Sequence, residues 1–219
     1  VDEIEMVSFY HNIAGINILS FQLDLSNEFN KSLVHLTLKK TMEQPDQYIF
    51  NGRNFTSKVR NNLFLYQDNE FVILRNIITD CFFRFIDVYS NQYRGKAPMY
   101  ATCGVNYISY QNYYSEPHRH HDNPFNLTGI YFADGRFSEG RGGTRFWTAP
   151  SLIGSTIEEI PVHAGTFLLF QGTLLHGSPS YNGDIPRVVF PMDFRFRPLD
   201  QDVCPHIYLG PSNSSTYRL

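Results

Sequence analysis

The sequence predicts a mainly β chain of the α+β type, in which N-terminal helices pack on a β-sandwich or barrel core, best read as a jelly roll. Three observations lead there. Aromatic residues are plentiful, with 19 Phe, 14 Tyr and 1 Trp among 219 residues, and such side chains favour strands. Twelve Pro and 15 Gly supply turns. Helical periodicity is confined to the chain before residue 95, after which the apolar segments shorten and lean toward a period of two.

Taken in order, Ser26 can cap a first helix whose Phe29, Leu33, Leu36 and Val34 follow the 3.6 period and which ends before Pro45. A second helix is expected over 74–89, with Leu74, Ile78, Cys81, Phe82, Phe85 and Val88 spaced by three and four and a stop within 91–95. Strands are expected at 100–110, 128–133, 143–147, 166–170 and 187–196, separated by Gly, Pro and Asn. The expected organisation is one domain over 1–219: a helical or mixed support region over 1–95, a jelly-roll core over 96–200 and a tail over 201–219. A jelly roll can hold a small ligand between its sheets while helices cover an outer face.

Charge narrows the partners. The net charge is −3, which offers no electrostatic footprint for nucleic acid or an anionic membrane, and no apolar run approaches the ~20 residues that span a bilayer. Nucleic acid and membrane are therefore not expected partners, and compactness with no recognisable targeting or protein-binding module leaves a small-molecule substrate as the expectation, a peptide being the alternative. Cys81, Cys103 and Cys204 form no C-x-x-C pair, so neither a disulfide framework nor a thiolate zinc site is indicated, and a cytoplasmic location is expected. Because the chain begins with Val and without a basic-then-apolar leader, an upstream segment could have been removed.

The densest chemistry lies in Glu116-Pro-His-Arg-His-His-Asp-Asn-Pro, which gathers three of the eight histidines and one carboxylate within the five residues 118–122. In an extended strand end, His120 and Asp122 point to one side and His121 away. His118 shares that side if the strand begins early, and would then contact substrate or stand in for His120 as a ligand. A third ligand must come from elsewhere, and His176 is the best candidate. Two imidazoles and one carboxylate on one face leave positions open at iron for a chelating co-substrate and O2. Arg187, eleven positions after His176 and expected on a neighbouring strand, could anchor a dicarboxylate through its planar fork.

Tyr110, His120-x-Asp122, Gly142-Gly143-Thr144, Gly165-Thr-Phe-Leu-Leu-Phe, His176 and Arg187 occur in an order that resembles the iron(II)/2-oxoglutarate-dependent dioxygenase superfamily. The likeness covers roughly 100–197, and Arg119-His-His-Asp-Asn-Pro with Tyr110 is similar to prolyl-hydroxylase-like members. By that resemblance the fold is a double-stranded β-helix, His120, Asp122 and His176 hold Fe(II), and Arg187 binds the far carboxylate of 2-oxoglutarate. Tyr110 would donate a hydrogen bond to it, and Tyr131 is counted with Tyr110 as a cofactor contact, with ordinary sheet packing as the other role for both. Turnover in such enzymes consumes O2, decarboxylates 2-oxoglutarate to succinate and most often hydroxylates the substrate. Two departures stand out: Arg187-Val-Val lacks the hydroxyl residue two after the arginine, and the glycine-to-aromatic gap near 143–147 differs by one residue.

The expected activity is thus hydroxylation of an amino-acid-like or other small molecule. The alternatives are a peptidyl prolyl hydroxylase, a jelly-roll metalloenzyme without 2-oxoglutarate in which Arg187 is structural, and a binding jelly roll without catalysis.

Overall fold

The computed structural model describes residues 6–13, 15–51, 54–58, 60–93, 100–108, 113–135, 143–148, 156–181, 183–197 and 205–209. Fourteen strands among them form two sheets. A hairpin of β1 (Met6–Ile13) and β2 (Ile16–Leu23) opens the chain. Helix α1 (Asn27–Glu43), strands β3 (Tyr48–Asn51) and β4 (Asn54–Ser57), helix α2 (Asn69–Val88) and the short helix α3 (Ser90–Tyr93) follow. The remaining strands are β5 (Tyr100–Cys103), β6 (Asn106–Ile108), β7 (Tyr113–His118), β8 (Leu127–Asp134), β9 (Thr144–Trp147), β10 (Ile157–Ile160), β11 (Thr166–Gln171), β12 (His176–Tyr181), β13 (Arg187–Arg195) and β14 (Ile207–Tyr208).

The large sheet runs β1-β2-β11-β8-β13-β6-β4-β3, with β5 also on β13 and β14 on β5. The small sheet runs β10-β9-β12-β7. All pairings are antiparallel, and the pair of sheets is the double-stranded β-helix the sequence implied. The five expected segments of the second half are strands, with 100–110 broken into β5 and β6 around Gly104, while β7, β10, β12 and β14 fall outside the expected set. At Gly104 a Cβ would press into Ser57 Oγ at 2.6 Å.

Both helices lie where the periodicity placed them, with corrections. Ser26 caps α1 by accepting from the Phe29 amide at 3.0 Å. Its buried stripe is Asn30, Leu33, Thr37 and Thr41 rather than Phe29, Leu33 and Leu36, because Thr37 and Thr41 return their hydroxyls to the carbonyls four residues back. Helix α2 begins at Asn69, five residues early, and Val88 is exposed.

The large sheet separates two cores. On its helix side Phe71, Leu74, Phe82 and Phe85 of α2 join Tyr131, Phe167, Phe190 and Phe194 of the sheet. Each such side chain contributes roughly 1.5–3 kcal/mol on burial. Between the sheets the apolar set is smaller, with Ile130, Phe132, Leu168, Phe170 and Val189 facing Phe146 and Ile160. Cys81 and Cys103 are buried free thiols. No helix among the described residues is long and apolar enough to cross a membrane.

Candidate metal centre

The site starts from strand register. In the small sheet β12 lies between β7 and β9, and the pairing sets His176 opposite His118 on one side and Phe146 on the other. Directly opposed residues bring their side chains together, and the two imidazole centroids are 4.6 Å apart. Just beyond the end of β7, the His120 ring stands 5.1 Å from each of them. One ligand nitrogen from each of the three residues lies within 4.8 Å of the others.

The three rings are held in the same way. His118 Nδ1 meets the Glu116 carbonyl at 2.7 Å, His176 Nδ1 the Leu174 carbonyl at 2.8 Å, and His120 Nδ1 the Asp193 carboxylate at 2.7 Å. Carbonyl and ionised carboxylate oxygens only accept, so each Nδ1 carries the proton and each Nε2 presents a lone pair. The Nε2 atoms of His118 and His120 are 3.2 Å apart. Two lone pairs at that distance repel unless a cation or proton lies between them. Nitrogen donors aimed inward, each tied from behind, are what a first-row metal ion requires, and the residues fit one.

Electrostatics agree with neutral ligands. Burial pushes His176 down to about 3, helped by the positive charge that His120 and His118 would carry. His118 is exposed as a residue, yet desolvation of its ring lowers its pKa as well. Burial alone would raise the Asp193 carboxyl, but its contacts with His120 and His121 outweigh this and hold it below the ordinary range. His121 Nε2 lies 3.2 Å from Asp193 without meeting hydrogen-bond geometry.

Of the residues expected at the site, His120 and His176 come together and Asp122 does not join them. Asp122 is exposed and lies outside the histidine group. The expectation assumed an extended chain through 122, whereas β7 stops at His118 and the amides of His120 and His121 both donate to the Gly172 carbonyl, at 3.1 and 3.2 Å. Successive amides point opposite ways in a strand and cannot converge on one acceptor. The resulting turn carries His121 inward and Asp122 to water. It needs glycine at 172, because a Cβ there would collide with the His121 ring.

Arg187 is buried and lines a cavity of about 160 Å³ together with His118, His120, His176, Thr144 and Ser178. It stands on β13 of the large sheet, not on a strand beside His176, so the cavity separates it from the histidines. The Phe132 ring lies 5.6 Å from its guanidinium. Tyr131 faces the other way: it alternates with Ile130, which lines the cavity, and its hydroxyl donates to Asn30 of α1. It is a packing residue of the helix-side core, not a cofactor contact. Tyr110 lies outside the described residues. Asp193, the partner behind His120, was not among the expected site residues, because a polar residue alternating with apolar ones on β13 looks solvent-facing until a second sheet covers it.

These features define a class by architecture: a double-stranded β-helix with a convergent imidazole group on its small sheet and an arginine on the facing one. No protein-family model and no curated protein matches the chain. Solved structures do, among them alpha ketoglutarate dependent enzymes and a prolyl-4-hydroxylase. The non-heme alpha ketoglutarate dependent carbocyclase SnoK from nogalamycin biosynthesis shares 10% identity over 81% of this chain and 79% of that one, with a TM-score of 0.61. A Pseudomonas putida prolyl-4-hydroxylase shares 12% over 87% and 93%, with a TM-score of 0.55. The epimerase SnoN in complex with Fe3+, alpha ketoglutarate and nogalamycin RO shares 12% over 81% and 78%, with a TM-score of 0.56. At such identities the likeness is one of fold.

Proposed function

We propose that the chain is a non-haem Fe(II) oxygenase that takes 2-oxoglutarate as co-substrate and oxidises a small molecule, with His118, His120 and His176 holding the metal. The observation that carries this reading is one cavity bounded by three convergent imidazole nitrogens and by a buried arginine from the opposite sheet. When bound, the iron supplies O2 activation coupled to decarboxylation of the keto acid.

The protein's own residues do the rest. Asp193 and two backbone carbonyls accept from the Nδ1 atoms and so turn each Nε2 toward the metal site. Three neutral ligands cancel none of the metal's charge, which favours a dianionic chelate such as 2-oxoglutarate over a neutral one. The Arg187 guanidinium would pair bidentately with its far carboxylate, and burial beside Phe132 removes competing water. Tyr110 remains a proposed donor to that carboxylate.

A second reading has its own support: the ligand group contains no carboxylate, and three imidazoles also suit metalloenzymes that use no keto acid. Anaerobic titration of Fe(II)-loaded protein with 2-oxoglutarate separates the two. A saturable visible charge-transfer band that weakens in Arg187→Gln is the expected result. Bound iron with no band would establish the second reading instead.

A further inference from the structure

A second cavity of about 210 Å³ lies beside the metal centre and has no role in the reading above. It shares Thr56, His120 and Pro191 with the first cavity, so the two are chambers adjoining the His120 ring. The first chamber contains Arg187. The second is walled by Lys58, Asn61, Asp193 and Arg195.

Its hydrogen-bonding inventory is lopsided. The one carboxylate, Asp193, is already engaged by His120 at 2.7 Å, with Arg195 Nη2 at 3.6 Å. The donors are not matched. Asn61 is only 6% exposed, and its Oδ1 accepts from the Tyr66 hydroxyl at 2.9 Å, which leaves Nδ2 as the free half of the amide. That Nδ2 and Arg195 Nε are both buried with no hydrogen-bond partner. An unsatisfied buried donor costs about 1–3 kcal/mol, and both belong to residues that line this cavity, where a ligand's acceptors would relieve that cost. Lys58 adds an ammonium at the exposed side.

A group that only accepts, carries negative charge and offers two oxygens suits these walls. A carboxamide would instead point its own donors at theirs. We propose that this chamber binds the primary substrate through a carboxylate held by Arg195, Lys58 and the Asn61 amide, with the rest of the molecule directed toward His120. The substrate class is then a free small-molecule acid, since an internal peptide residue other than Asp or Glu has no such group. This deepens the oxygenase reading and rests on it for the chemistry, while the clamp itself can be tested without iron or keto acid.

The test is saturation-transfer NMR on the metal-free full chain with four pairs of probes: L-proline, L-leucine, L-phenylalanine and L-glutamine, each against its carboxamide. At least one acid should bind about tenfold or more tighter than its amide. Lys58→Gln and Arg195→Gln should each erode that preference, while Arg187→Gln should retain it. Arg195→Gln also loosens Asp193, so Lys58→Gln, at an exposed residue, keeps the result interpretable. Equal binding of acids and amides, or no binding of any acid at millimolar concentration, would overturn the proposal. So would a preference abolished by Arg187→Gln alone, which would assign the carboxylate to the first chamber. Failure of the keto-acid titration with an intact acid preference would count against the oxygenase reading and leave the clamp standing.

Discussion

Strand β13 has two faces that look into different interiors. Val188, Phe190, Met192 and Phe194 enter the largely apolar core under α2. Arg187, Val189, Pro191, Asp193 and Arg195 face the space between the sheets, where two cavities and the histidine group lie. One strand thus serves stability on one side and chemistry on the other. Because period-two alternation assigns each side chain to a single face, the two tasks can be changed separately.

The largest effect should come from the helix side. Phe82 is buried and its ring stacks on Phe194 with centroids 5.2 Å apart. Phe82→Ala should cost about 3–5 kcal/mol in urea unfolding of the metal-free protein, while any folded fraction keeps its metal affinity. A cost below about 1 kcal/mol would mean that α2 is not the structural wall it forms here.

On the inner side the pattern should invert. His176→Ala should weaken Fe(II) binding by more than about 100-fold, with a smaller loss of metal-free stability than Phe82→Ala. Metal binding that survives would dissolve the distinction between the faces.

Acid should reach the inner side through the same residue. His176 sits at about 3 in the fold, against an unfolded value near 6.5. Its contribution is present in full above the unfolded value and is lost as pH falls toward 3, because the unfolded chain takes up the proton first. Metal-free protein should therefore lose stability between roughly pH 6.5 and 3, and His176→Gln should flatten that slope in urea titrations.

A finer test is Asp193→Asn, which keeps the shape and removes the charge behind His120. Metal affinity should fall about 10–100-fold, less than for His176→Ala, and metal-free stability should fall too, because the fold holds the ionised carboxyl below its ordinary range. The smallest effect is expected at Asp122: Asp122→Ala should alter metal affinity by no more than about twofold, as for an ordinary surface change. A loss matching that of His176→Ala would return Asp122 to the ligand set.

Much of this was legible beforehand. The Ser26 cap, the apolar stripe of α2 and five of the strand segments follow from local periodicity, which needs no knowledge of partners. His120, His176 and Arg187 were legible as types of ligand and counter-ion. The β1–β2 hairpin was not, because its exposed Val7, Phe9 and Tyr10 blur the polar face that usually marks an edge strand. Nor was Asp193, since a polar residue alternating with apolar ones looks solvent-facing until a second sheet covers it.

By itself the sequence determined that two helices precede a strand-rich second half, that imidazoles cluster near residue 120 and that an arginine follows the distal histidine. Only the tertiary structure decided which imidazoles converge. The register of β12 against β7 sets His118 opposite His176, and the turn onto the Gly172 carbonyl sends Asp122 to water. Cross-strand register and a shared acceptor join residues more than fifty positions apart, and no local pattern encodes such a contact.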